Sequence, residues 1–66
     1  MRYTMIQPEF EIFKDQTGKF RWHLKAANSE IIAASQSYAT KADAEKGIAA
    51  VKKDAPIAAT KDLTTK

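Results

Sequence analysis

Cysteine is absent from this 66-residue chain, and histidine and tryptophan occur once each. Without cysteine there are neither disulfides nor thiolate metal sites. A lone histidine, His23, would need several carboxylates to converge on it before zinc could bind. Glycine is nearly as scarce: Gly18 and Gly47 are the only two. That excludes a glycine-rich phosphate cradle, and neither Ser35 nor Ser37 sits in a Gly-x-Ser-x-Gly elbow. No apolar run approaches the roughly 20 residues of a membrane span. The opening residues, Met1 to Pro8, lack the continuous apolar stretch of a secretory signal. A soluble cytoplasmic protein with no cofactor and no membrane partner is the expectation.

Charge of one sign is also in short supply. Eleven Lys and Arg face eight Asp and Glu, a formal charge of +3. A sequence pI near 9.3 invites a nucleic-acid reading. The excess is spread, however: residues 1–27 carry five basic and three acidic groups, and residues 28–66 carry six and five. Polyanion affinity depends on how many phosphates are neutralised together, so the hint is weak.

The chain is read as a single domain over 1–66, with a core over about 9–60, no assignment for 1–8 and a flexible tail over 61–66. A domain this short buries only about 60% of the surface its unfolded chain exposes. Core burial and an ordering cost of about 1.5 kcal/mol per residue nearly cancel. Disulfides and thiolate metal sites being excluded, a partner subunit is the remaining way to escape that balance.

Period-two alternation marks the strands. Over 9–13, Phe10 and Ile12 oppose Glu9 and Glu11. Over 19–26, Phe20, Trp22, Leu24 and Ala26 oppose Arg21, His23 and Lys25. Between these runs, Asp15-Gln16-Thr17-Gly18 is a turn cluster in which Gly18 can take positive φ. Asn28-Ser29 separates the second strand from a third over 30–34. Ser29 suits a two-residue hairpin loop poorly, so the loop is strained or one residue longer. Pairing Ile12 with Phe20 and Phe10 with Trp22 sets Glu11 opposite Arg21 and Glu9 opposite His23. Pairing Leu24 with Ala33 and Ala26 with Ile31 aligns the second hairpin. Both registers gather large apolar groups on one face and opposite charges on the other.

A helix is expected from Thr40, which forms a capping-box pattern with Asp43. Ala44, Ile48, Val51 and Ala55 make one apolar stripe, and Pro56 stops the helix near Asp54. Gly47 costs about 1 kcal/mol relative to alanine in mid-helix, which points to close approach of the helix to Trp22. A short last strand is expected over 57–60.

His23 is the one ordinary general-base candidate, but no nucleophile or water-excluding site accompanies it, so an enzyme is not expected. Arg21, His23 and Lys25 form a basic stripe on the sheet face away from the helix. Phe13 and Ile32 share that outer face and suit a small protein-binding patch. Tyr3, Met5 and Ile6 are available to cover them. The leading expectation is a protein- or small-ligand-binding module. Weak nucleic-acid binding through the basic face is the alternative.

Three segments carry a resemblance: residues 10–15 (FEIFKD), residues 20–28 (FRWHLKAAN), and Gly47-Ile48 with Val51-Lys52-Lys53. With Ser35-Gln36-Ser37-Tyr38 between them, the chain resembles the YegP-like family over roughly residues 9–57. The resemblance implies an α+β fold, a β-β-β-α-β unit found as a tandem repeat or a homodimer. Two units join into a single sheet with their C-terminal strands exchanged. One unit is present here, so a homodimer is implied. Asn28-Ser29 departs from the family's usual Asn-Gly, and Arg often stands where this chain has His23. No catalytic residues are implied.

Overall fold

The structure, a computed structural model, describes residues 7–64. The expected cover by Tyr3, Met5 and Ile6 lies outside those residues. Three antiparallel strands, β1 (Glu9–Lys14), β2 (Phe20–Lys25) and β3 (Ile31–Ala34), pair in chain order. One helix, α1 (Lys41–Asp54), follows, and a single 3-10 turn over Ala55–Ile57 continues it. The meander and the helix are as the alternation and the stripe require.

The first register differs from expectation by two residues. Ile12 pairs with Trp22, Phe10 with Leu24, Glu11 with His23 and Phe13 with Arg21. The loop explains the shift. Asp15 and Lys19 close the hairpin, with Asp15 N–H donating to Lys19 C=O at 2.9 Å and Gly18 N–H to Asp15 C=O at 3.0 Å. Gly18, at φ 86°, takes the left-handed position that ends a three-residue loop. A two-residue shift preserves the faces and changes every partner.

The second hairpin repeats this geometry. Ala26 N–H donates to Glu30 C=O and Ser29 N–H to Ala26 C=O, so the loop has three residues, and Ser29 occupies the left-handed position at φ 73°. Leu24 pairs with Ala33 as expected, but a bulge next to it sets Ile31 opposite Lys25 rather than Ala26. Residues directly opposed across an antiparallel pair share a face, so Ile31 leaves the helix side for the outer one.

The core lies between β2 and α1. Trp22 is 6% exposed and Ala44 fully buried. Phe10 meets the Trp22 ring edge-on, with centroids 5.4 Å apart. At Gly47 the helix packs tightly on its neighbours: a Cβ there would overlap the Tyr38 hydroxyl and lie 3.1 Å from Trp22 Nε1. Thr40 caps the helix, its Oγ accepting from Asp43 N–H at 3.1 Å.

Residues 57–60 form no strand within the chain. Ile57 belongs to the 3-10 turn, and the chain from Ala58 to Leu63 pairs with no strand. Pro56 stands at the start of that turn, where its fixed φ suits the turn and its missing N–H cannot serve a strand ladder. Ile57 and Leu63 are each 81% exposed. The radius of gyration is 14.7 Å, against roughly 11 Å for a compact domain of this length.

Candidate interaction face

The outer face of the sheet carries Glu9, Glu11 and Phe13 from β1, Arg21, His23 and Lys25 from β2, and Ile31 and Ile32 from β3. Its cations are already matched. Arg21 Nε–H donates to Asp15 Oδ2 at 2.9 Å. His23 Nε2 lies 2.7 Å from Glu11 Oε1, and an ionised carboxylate can only accept, so the imidazole donates. Lys25 Nζ is 3.6 Å from Glu11 Oε2. The carboxylate–histidine pair therefore forms with Glu11, not with Glu9 as the expected register had it.

Asp15 is the residue that sequence reasoning undervalued. Its carboxylate also accepts from Thr17 N–H at 2.9 Å, Thr17 Oγ at 2.6 Å and Lys19 N–H at 3.1 Å. The Thr17 hydroxyl and then the Arg21 guanidinium hold its pKa well below the usual carboxylate range. The signal was present in Asp15-Gln16-Thr17-Gly18, where an aspartate two residues before a threonine builds an Asx turn. That Arg21 would reach it needed the true register. Glu11 is likewise held below its ordinary value, chiefly by the His23 hydrogen bond and secondarily by surrounding groups that include Lys25.

Phe13 stacks at a tilt on His23, with ring centroids 5.0 Å apart, and remains 41% exposed. Ile31 and Ile32 are 57% and 59% exposed. They do not meet Phe13. Phe13 sits opposite Arg21 and Ile31 opposite Lys25, four positions apart along β2, about 13 Å at strand rise. The face thus holds two apolar ends with a neutralised ionic centre between them. Three shallow clefts, one of them lined in part by Glu9 and Lys25 of this face, measure about 170, 260 and 290 Å³. Among the described residues no cluster of three or more His, Asp or Glu could hold a metal ion. No helix among them is long and apolar enough to cross a membrane.

Meander, single helix and outer face together define a small α+β domain. The chain belongs to the family described as a domain of unknown function (DUF1508), which it matches over residues 15–62. It is 51% identical, over 77% of its own length and 88% of the relative's, to a UPF0339 protein of Treponema denticola. With the UPF0339 protein YegP of Yersinia pestis the identity is 49% over 79% of this chain, which spans 46% of that protein. A protein from Haloferax volcanii, solved in solution by NMR, superposes with a TM-score of 0.80 at 38% identity, covering 89% of this chain and all of that one.

Proposed function

We propose that this chain is a single-unit, non-enzymatic, cytoplasmic homodimer that binds another protein through its outer sheet face. The observation that carries the binding reading is the composition of that face. Phe13, Ile31 and Ile32 are exposed beside cations that Glu11 and Asp15 already neutralise. Exposed apolar groups beside self-compensated charge favour a protein surface over a polyanion. The cleft that Glu9 and Lys25 help to line, about 170 Å³, is small beside the roughly 300–1,000 Å³ usual for small-molecule sites, which favours a protein over a small ligand at this face.

Two observations support the dimer. Trp22 and Ala44 are the buried hydrophobic residues of the described core, too little for an independent domain of this size. The match to YegP of Yersinia pestis occupies under half of that protein, which leaves room there for a second unit. The exposed, unpaired C-terminal segment supports exchange between the copies.

Affinity capture with wild type, Phe13→Ala and Ile32→Asp tests the face, with circular dichroism and light scattering as controls. Partners lost on either substitution, with fold and dimer intact, support the reading. Partners retained by both would overturn it. Fluorescence anisotropy with labelled oligonucleotides at two salt concentrations tests the basic-face alternative. Salt-sensitive binding abolished by Arg21→Glu/Lys25→Glu would replace the protein reading with that one.

A further inference from the structure

Among the described residues, one carboxylate of the outer face has no counterion. Asp15 takes Arg21, and the two oxygens of Glu11 take His23 and Lys25. Glu9 stands directly across from Lys25 in the strand register. The Lys25 ammonium nevertheless turns to Glu11, at 3.6 Å, and Glu9 is left without a cation. The chain carries a formal charge of +3, yet this end of its outer face is short of positive charge.

Glu9 also lines the cleft of about 170 Å³ at that end, with Gln7, Lys25, Ala26, Ala27 and Ser29. At roughly 30 Å³ per water, such a volume holds about five or six heavy atoms. That is the bulk of one long side chain. Ala26 and Ala27 add little bulk and no charge, and Gln7 and Ser29 bring neutral hydrogen-bonding groups. Ile31, opposite Lys25 in the register and 57% exposed, is the apolar neighbour on the same face.

Resting on the reading of the outer face as a protein-binding surface, we propose that this cleft receives one lysine or arginine side chain of the partner. Glu9 is its counterion, and Ile31 meets an apolar residue beside it. Charge selects the occupant. A basic group gains the carboxylate that lacks a partner, whereas an acidic group meets that carboxylate and must draw Lys25 away from Glu11. The Lys25 ammonium opposes a cation, and its pairing with Glu11 reduces that repulsion. A phosphate backbone is disfavoured here for the same reason as an acidic side chain.

The probe is the capped peptide acetyl-Leu-Arg-Leu-amide, titrated into the isotope-labelled chain at low ionic strength. Amide signals at 7, 9 and 25–29 should move, and those at 15–19 should not. The citrulline counterpart keeps the shape of arginine without its charge. It should bind about two- to fivefold more weakly, the range of a single exposed ion pair. Glu9→Gln should weaken the arginine peptide by the same factor, with the rest of the amide spectrum unchanged. Lys25→Met removes the competing cation and should strengthen binding. Shifts absent from 7, 9 and 25–29, or an affinity indifferent to Glu9→Gln, would overturn the proposal. Tighter binding of acetyl-Leu-Glu-Leu-amide, or loss of binding on Lys25→Met, would overturn it by making the cleft an anion site. Each of these results leaves the face reading standing where captured partners are lost on Phe13→Ala or Ile32→Asp. Partners retained by both substitutions would remove the face reading and the proposal with it.

Discussion

The two hairpins share one backbone geometry and differ in how well their residues suit it. Each closes with a three-residue loop whose last position is left-handed. In the first, that position is Gly18, which has no Cβ to clash. In the second it is Ser29, where an L side chain costs about 1–2 kcal/mol. The first loop is also anchored by four hydrogen bonds onto the Asp15 carboxylate, one of them from the neighbouring β2 side chain Arg21. The second has the Asn28 side chain accepting from Glu30 N–H at 3.1 Å and a longer contact to the Glu30 carboxylate. A bulge and a short, fully exposed strand follow it. One half of the sheet is finished within the chain. The other half ends in a short, exposed edge strand.

That contrast can be broken most forcefully where the finished half meets the helix. Gly47→Ala places a methyl group against Tyr38 and Trp22 and should destabilise by about 1–3 kcal/mol, the cost of overpacking, measured by urea denaturation. Gly18→Ala comes next. Nothing lies within 4 Å of the position, so the expected loss of about 1–2 kcal/mol is backbone strain alone. Ser29→Gly is the mirror experiment and should raise stability by about 1 kcal/mol by releasing the same strain. If Gly18→Ala and Ser29→Gly moved stability in the same direction, the two loops would not share the geometry described.

The smallest effect is expected from pH, and it sharpens the comparison of the loops. Asp15 and Glu11 both have folded-state pKa values below the ordinary 3.8 and 4.5. The unfolded chain therefore binds protons first as pH falls, and the stability these groups contribute is present above those ordinary values and lost below them. The urea midpoint should fall as pH drops below about 4. Asp15→Asn should flatten that fall, whereas Asn28→Asp, in the other loop, should leave the Asp15 contribution in place. An unaltered acid transition in Asp15→Asn would show that the Asp15 cluster does not couple protonation to folding.

Much of this molecule was legible because its signals are local. Alternation fixed which residues of β1 and β2 face the helix, and it survived a register two residues off because the side-chain period is two. Thr40, the apolar stripe and Pro56 bounded the helix, and Gly47 marked a close approach to Trp22. What failed were the quantities that depend on loop geometry. Gly18 could be seen to favour positive φ, but its place as the last of three loop residues, which sets the register, was not visible. For the same reason Glu11 was not matched with His23, nor Arg21 with Asp15, and the outer face looked more basic than it is. The bulge that moves Ile31 to that face leaves no mark in the hydrophobic pattern.

By itself, then, the sequence determined the elements and their faces, because period and capping are written within a few residues. Its length and lack of cysteine set the expectation of a partner subunit. Only the tertiary structure decided which charges neutralise one another, that Phe13 and the isoleucines stand at opposite ends of one face, and that residues 57–63 leave the sheet of their own chain. Each of these depends on distances between segments, and those distances are set by two loops and one helix packing together.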